Sequence, residues 1–451
     1  MPFEAREIDP AGSSRAQLGA EIRRLRTERG LSQAGLGRLI HCSADLVRRV
    51  ETTERFPTQD FLVACDRALD AGGLLTALWP ALSAERRRGG ATTGAAVRLV
   101  AAESDMAVSA WLAGSGAGAG AVSESPSRDG DGLWVTEQDL AVAEGMLTMF
   151  RQLDHAHGPG TFAPQLVAYT ERELALLLSR QAAHPAVACE LARLASRFWE
   201  LAGYQAVDAG QPGTAQRYYQ RALQLADEAE DRCLGGYLVA VNLGHLALHC
   251  EHPHIAMRWA QAAETAVGTA ASPSTRAAIL AVQARAQARM GRESDSTGLL
   301  LRAEALVSSA EGVEEPEWIR YFTRAYLADE IAHCLHDLGR PSDTRVEAAD
   351  ALNGVGITHV RRLAIDTALV ATSWLRSEDV EQACAVARDA VGYAARTSSG
   401  RCVQRIAVLL TELAPHARLA CVADLYAYVE QVLSAALLAQ PVTGDASAAR
   451  S

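Results

Sequence analysis

The chain contains 451 residues, of which 49% are hydrophobic, 22% charged and 5% aromatic, and its formal net charge is −11. Its length indicates roughly two to four domains, and the abundance of alanine and leucine favours helices over β-sandwiches. The charge excludes an overall polycation. Because residues 1–90 hold 14 arginines against 12 acidic residues, a nucleic-acid contact is expected only in this N-terminal part.

Changes in composition divide the chain into a short polar arm at the N-terminus and four further segments. Residues 15–82 have the pattern of compact helices joined by tight turns. Residues 83–132 are rich in glycine, serine and alanine and predict a flexible linker, with room for a short helix around 95–110. Residues 133–440 show an almost continuous helical pattern, and residues 441–451 are predicted to be a disordered tail.

The first two elements of the segment 15–82 are a long helix and a shorter one. The sequence IRRLRTERGL predicts a first helix with Ile22 and Leu25 facing inward and the arginines facing outward, ending at Gly30. Ser32 is a favourable N-cap for the second helix. The predicted apolar stripe of this second helix consists of Leu36, Leu39 and Ile40.

The third helix carries the residues of most interest. Ser43 is predicted to cap the helix SADLVRRVE, in which Val47 and Val50 point inward. The residues that then face outward are Ala44, Asp45, Arg48 and Arg49. After Pro57, the sequences FLVACDRAL and GGLLTALWPAL predict a fourth and a fifth helix.

These residues together resemble the Cro/lambda-repressor family of five-helix DNA-binding domains, also called the xenobiotic-response-element (XRE) family. The resemblance covers about 65 residues and rests on the segment RGLSQ, the pattern SxxxVxRVE and the downstream Pro57. The closing ALDAGGLLTALW resembles actinobacterial members of the group. The family resemblance as a whole implies a helix-turn-helix domain that binds double-stranded DNA.

By this resemblance the third helix enters the major groove, where Ala44, Asp45 and Arg49 would read bases and Arg48 would contact a base or a phosphate. Gln33, at the start of the second helix, would contact a backbone phosphate. The full DNA-contacting set implied is Gln33, Ser43, Ala44, Asp45, Arg48, Arg49 and Arg55. Arginine forks suit guanine or phosphate, and the alternative is that the arginines belong to an ordinary solvated face.

Three features depart from the family pattern. Gly35 and Gly37 have low helix propensity and predict a weak second helix. Leu46 occupies a position that is usually small and polar, and Thr53 stands where a turn glycine is common.

The long helical segment repeats itself. One alanine recurs in the second helix of each predicted pair, at Ala222, Ala263, Ala303, Ala351 and Ala390. A pair of helices that recurs along the chain in this way is the signature of an α-solenoid, and the segment resembles degenerate tetratricopeptide repeats. The predicted fold is therefore all-α, a five-helix helix-turn-helix domain followed by an α-solenoid of helical hairpins; an irregular bundle is the alternative.

Other features give little support to catalysis, metal binding or membrane association. His245 and His249 have a spacing that can chelate a metal, but no acidic HExxH pattern accompanies them. Nine cysteines include no CxxC pair, and no apolar run reaches the roughly 18 residues of a membrane span. We therefore expect no cofactor, no metal, no enzyme activity and no membrane contact, in a cytoplasmic protein associated with the nucleoid.

The function expected is that of a sequence-specific transcriptional regulator. Its partners would be a DNA operator, a second copy of the chain in a homodimer, and a peptide, small-molecule or protein effector in the groove of the repeats. The alternative is an interaction scaffold whose helix-turn-helix head no longer reads DNA.

Overall fold

The computed structural model describes residues 14–40, 42–53, 57, 59–78, 99–114, 134–160, 162–310 and 312–433. The described chain is all-α, with a helix-turn-helix unit and a repeat-like helical body, and its one extended pairing is the bridge between Val135 and Ala182. It divides into two compact units, Met1–Ala96 and Val97–Ser451. The predicted tail, most of the N-terminal arm and most of the predicted linker lie outside the described residues.

The first unit contains five helices in its described part. They are α1 (Ser14–Glu28), α2 (Gln33–Leu39), α3 (Ala44–Glu51), α4 (Gln59–Ala68) and α5 (Leu74–Ala77). Ser32 and Ser43 cap α2 and α3 as predicted, since their hydroxyls accept hydrogen bonds from the amides of Gly35 and Leu46. One inward residue was predicted wrongly: Leu39 is 55% exposed, because it lies at the last position of α2 and only Leu36 is fully buried.

Glycine at position 37 lets α2 approach the start of α3. A Cβ atom at Gly37 would lie 2.7 Å from the carbonyl oxygen of Cys42, a backbone atom that cannot move aside without shifting the turn. At Gly35 the nearest atom would be the hydroxyl of Ser32, at 3.3 Å. The two glycines thus differ: Gly37 is required by packing, whereas Gly35 is not.

We expect Gly37→Ala to destabilise the helix-turn-helix unit by about 1–3 kcal/mol through overpacking. Hydrogen exchange measured by mass spectrometry on peptides covering α1 to α3 would report this as faster exchange. Gly35→Ala is the matched control and should not accelerate exchange, because alanine has the higher helix propensity. Equal exchange rates in the two variants would contradict the assigned role of Gly37.

The second unit is longer and consists of consecutive helices. Those before the first hairpin are α6 (Ala101–Ala113), α7 (Glu137–His157), α8 (Ala163–Tyr169) and α9 (Ala175–Leu178), with a π-helical turn Thr170–Leu174 between the last two. None of the described helices combines the length and the apolar character needed to cross a membrane.

Five helical hairpins follow in the described chain. Their first helices are α10 (Pro185–Asp208), the pair α12 (Arg232–Tyr237) and α13 (Gly244–His249) joined by a π-helical segment Leu238–Leu243, α15 (Pro273–Arg289), α17 (Arg324–Asp337) and α19 (Val360–Leu375). Their second helices are α11 (Pro212–Glu228), α14 (Pro253–Val267), α16 (Glu293–Ser309), α18 (Pro341–Asn353) and α20 (Val380–Ala394). The helices α21 (Gly400–Leu413) and α22 (Ala420–Val432) pack onto the last hairpin.

The recurring alanines lie where each second helix packs against its partner. Each of them is completely buried, at 0% exposure, in the five second helices. A small side chain at this position lets two helix backbones come close, which accounts for the repeat in the sequence. The predicted hairpins are therefore confirmed, and the turn glycines Gly291 and Gly339 have the left-handed φ values of 71° and 73° expected there.

Helix α6 lies within the segment 83–132 and packs onto the first hairpins of the body. Trp111 is 3% exposed and covers Gly235, where a Cβ atom would lie 2.2 Å from the indole nitrogen. The side-chain amide of Gln216 donates to the carbonyl of Val100 and accepts from its amide, both at 2.8 Å. Residues 99–114 thus belong to the packed body.

Candidate nucleic-acid interface

Helix α3 presents its outer side to solvent in the first unit. Val47 and Val50 are buried at 0% and 2% exposure and hold the helix on the core. Ala44, Asp45 and Arg49 are exposed, and Arg48 is half-buried. The predicted division of α3 into an inner and an outer side is confirmed.

The charged residues of this surface are paired with one another. One carboxylate oxygen of Asp45 lies 3.1 Å from the guanidinium of Arg48, and the other lies 2.7 Å from that of Arg49. The hydrogen bond from Arg48 and the charge of Arg49 lower the pKa of Asp45. In the unbound protein Asp45 therefore holds both arginines side by side and offsets part of their charge.

A buried carboxylate behind the outer surface joins the first three helices. Glu51 is 1% exposed and accepts hydrogen bonds from Arg26 of α1 at 2.6 Å and from the side-chain amide of Gln33 of α2 at 2.8 Å. Arg26 also donates to the carbonyl of Leu31 at 2.7 Å. The prediction that the arginines of α1 face outward is wrong for Arg26, whose side chain is 13% exposed because Glu51 binds it.

This network fixes Gln33, which the sequence analysis assigned to a phosphate contact. Its amide nitrogen is held by Glu51, so α2 begins at a defined position relative to α3. Glu51 was not recognised from the sequence as a functional residue, although it forms the last letter of the SxxxVxRVE pattern. A glutamate that follows two inward valines falls on the buried side of the helix, and this spacing was the available signal.

The residue that follows the end of α3 and its cap has a left-handed backbone conformation. Thr53 has φ = 61°, a left-handed conformation that β-branched residues rarely adopt, which agrees with its position where a glycine is common. Arg55, the last residue of the predicted DNA-contacting set, lies outside the described residues.

The body has a second set of buried charges, which joins its first long helix to its last hairpin. Arg361 of α19 donates to the carboxylates of Asp154 of α7 and Asp208 of α10, the latter at 3.1 Å. Arg401 of α21 also donates to Asp208, at 2.9 Å. Burial alone would raise the pKa of Asp208, but the two guanidiniums outweigh it and hold that pKa below its usual value.

The two histidines considered as metal ligands have different charged neighbours. The Nε2 atom of His245 lies 3.4 Å from a carboxylate oxygen of Glu330. Burial and the charges of Arg401 and Arg289 lower the pKa of His249 to about 4. The two histidines thus have different surroundings, one anionic and one cationic.

Another group of possible ligands lies in the described part of the body. Ligand atoms of Asp329, His333 and Asp366 lie within 4.8 Å of one another. Arg362 pairs with Asp366 at 3.4 Å, and burial raises the pKa of both carboxyl groups, so a guanidinium and a shared proton can balance the charge there. The sequence did not indicate this group because its members lie on two helices.

A comparison with protein families supports the assignment of the first unit as a helix-turn-helix domain. A family model described as a helix-turn-helix domain matches residues 17–79. None of the curated proteins compared with the chain matches it. Among solved structures, the chain is similar to the crystal structure of Bacillus thuringiensis PlcR in complex with the peptide PapR7 and DNA, with 12% sequence identity, a TM-score of 0.33, and coverage of 75% of this chain and 94% of that chain.

Proposed function

We propose that this protein is a sequence-specific DNA-binding transcriptional regulator. The observation that carries the proposal is the outer side of α3, where Ala44, Asp45 and Arg49 are exposed on a domain that matches a helix-turn-helix family model. In this class of domain such a helix enters the major groove, and its first residues reach base edges. Ser43, Arg48 and Arg55 complete the proposed contact surface, and Gln33 contacts a phosphate at the start of α2.

The body would supply the regulation. A first unit with 14 arginines and 12 acidic residues in residues 1–90 has little non-specific attraction for DNA, which favours a homodimer that binds two half-sites. The hairpins of the body would form the dimer and bind an effector, a peptide, small molecule or protein. We assign no catalytic activity and no cofactor to the protein, and place it in the cytoplasm on the nucleoid.

A salt titration of DNA binding tests operator recognition. Duplexes selected from a random pool by the full chain should bind more tightly than unselected duplexes, and both affinities should fall as salt rises. No selection of a preferred sequence, together with an affinity independent of salt, would contradict operator recognition.

The alternative of a scaffold whose head does not read DNA is favoured by one observation, the pairing of Asp45 with both arginines.

The variant Asp45→Asn separates these alternatives further. Removing the carboxylate charge frees Arg48 and Arg49 for phosphates, so non-specific affinity should rise severalfold and the slope of log affinity against log salt should steepen by about one. Fluorescence anisotropy with a labelled random duplex measures both quantities. Asp70→Asn removes the same charge elsewhere in the first unit and serves as control. Identical curves for Asp45→Asn and wild type would indicate that the α3 surface does not meet DNA.

A further inference from the structure

The body contains a group of five arginines, one of which forms no ion pair with a described residue. We call it the arginine cluster. Its members are Arg285 and Arg289 of α15, Arg376 at the end of α19, and Arg401 and Arg405 of α21. They lie around the C-terminal parts of α13, α15 and α17, where His249, His336 and Asp337 are also found.

Four of the five arginines have an acidic partner. Arg285 pairs with Glu330 at 2.9 Å, and Arg289 pairs with Glu251 and Asp337 at 2.9 and 3.0 Å. Arg376 lies 3.5 Å from Glu412, and Arg401 pairs with Asp208 at 2.9 Å. The acidic partners of the cluster are thereby used, and Asp208 is shared with Arg361.

Arg405 is the exception. Among the described residues no carboxylate forms an ion pair with it, and its Nε atom is buried without a hydrogen-bond partner. Asp337 attracts Arg405 but is already bound by Arg289. Burial together with repulsion from Arg285 and other arginines lowers the pKa of Arg405, the direction expected of a guanidinium that lacks a counter-charge.

Two more atoms of the cluster also lack partners in the described chain. Nη2 of Arg401 and Nε of Arg285 are buried and unpaired. Arg401 and Arg405 are four residues apart on α21, so their side chains lie on the same side of that helix. Buried donors are normally satisfied, and a set of unpaired guanidinium atoms in one place calls for an acceptor that bears negative charge.

The imidazoles beside the cluster point to the same conclusion. Burial and the neighbouring guanidiniums, Arg405 first among them, keep the pKa of His336 well below its usual value. His249 is affected in the same way by Arg401 and Arg289. The guanidiniums contribute to both shifts, so the two imidazoles lie in a positive electrostatic potential, which favours an anion at this place.

We propose that the arginine cluster binds a ligand that carries a phosphate or carboxylate group, with Arg405 as its principal contact and Arg401 as a second. Guanidinium groups recognise both kinds of oxyanion through paired N–H donors. The inference rests on the proposed function, because it names the chemistry of the effector that the body would bind.

The test is the thermal unfolding of the full chain in phosphate-free buffer, with added sodium phosphate, disodium succinate or sodium chloride at matched ionic strength. Phosphate or succinate should raise the unfolding midpoint of the wild type above that in chloride. For Arg405→Gln, the anion concentration that gives half of the maximal shift in the midpoint should be at least tenfold higher than for the wild type. A response to phosphate alone or to succinate alone would identify which oxyanion the site takes.

The unliganded stability of Arg405→Gln distinguishes a binding arginine from a structural one. Because Arg405 forms no ion pair with any of the described residues, the variant should unfold in chloride at the same temperature as wild type or higher. The control Arg388→Gln alters an arginine that stacks on Tyr428 at 4.0 Å outside the cluster, and it should keep the full anion response.

Three results would overturn the inference: no stabilisation by either anion, an equal response in wild type and Arg405→Gln, or a lowered midpoint of Arg405→Gln in chloride. DNA binding is measured on the same preparations. If the wild type shows no anion response but binds its operator, the ligand site alone is refuted, whereas anion binding by the wild type without any operator preference refutes the regulator.

Discussion

Replacing Arg49 with alanine is expected to abolish the preference of the protein for its operator. Arg49 is exposed near the end of α3, and a bidentate contact to a base contributes about 1–3 kcal/mol of discrimination. A dimer that uses two half-sites would lose about 2–6 kcal/mol, or roughly 30-fold to 2 × 10⁴-fold in specific affinity. Non-specific affinity should fall much less.

The measurement compares a selected duplex with a random duplex in fluorescence anisotropy at fixed salt. Arg24→Ala is a suitable control, because Arg24 pairs with Glu21 and Glu28 on the exposed side of α1 and has no place in the proposed contact. If Arg49→Ala and Arg24→Ala kept equal preference for the selected duplex, the assignment of Arg49 to base reading would be wrong.

Replacing Arg361 with methionine is expected to destabilise the body strongly. The side chain of Arg361 is 6% exposed and lies between Asp154 and Asp208, at 1% and 0% exposure, so its removal leaves two buried carboxylates with less compensation. Breaking a buried ion pair in this way costs about 3–5 kcal/mol. Urea unfolding followed by tryptophan fluorescence should show a correspondingly lower midpoint.

Arg302→Met provides the matched control for that experiment. Arg302 pairs with Glu264 at 2.8 Å, but the two side chains are 58% and 36% exposed, and such pairs contribute about 0–1 kcal/mol. A shift in midpoint as small as that of Arg302→Met would mean that the buried pairs of Arg361 do not stabilise the body.

Asp208 also predicts how stability depends on pH. The native pKa of Asp208 is lowered, so its contribution is complete above the ordinary carboxyl pKa of about 4 and is lost as the pH falls through the lower native value. Acid should therefore reduce the urea midpoint of the wild type progressively in this range. Arg361→Met should show a smaller acid-dependent loss, because the charge that lowers this pKa is reduced.

The sequence was sufficient for features that depend on local spacing. The inward valines and the capping serine of α3 determine its orientation, and a buried small residue in each second helix reveals the hairpins. The sequence was not sufficient for contacts between distant helices. Arg361 and Asp154 are 207 residues apart, and no periodicity indicates that α19 lies beside α7.

Local patterns also failed where a helix ends or where a charge lies inside. Leu39 fits the apolar stripe of α2 but lies at the end of a seven-residue helix, beyond the reach of the core. Arg26 has the composition of a surface residue and is partly buried because Glu51 lies behind it. In both cases the surroundings of the residue in the fold, and not its type, decide whether its side chain is buried.

The two hydrogen bonds between Gln216 and Val100 attach the start of α6 to the body. The length of chain before this point therefore limits how far the helix-turn-helix head can lie from its own body. The last described residue of the head is Leu78 and the first of the body is Leu99, so 20 residues, 79–98, connect them. A polypeptide spans at most about 3.6 Å per residue, which caps this tether at roughly 70 Å, about two turns of B-DNA at ~34 Å each. A head farther from its own body than that reach would require α6 to leave the body, and Trp111 would then become exposed.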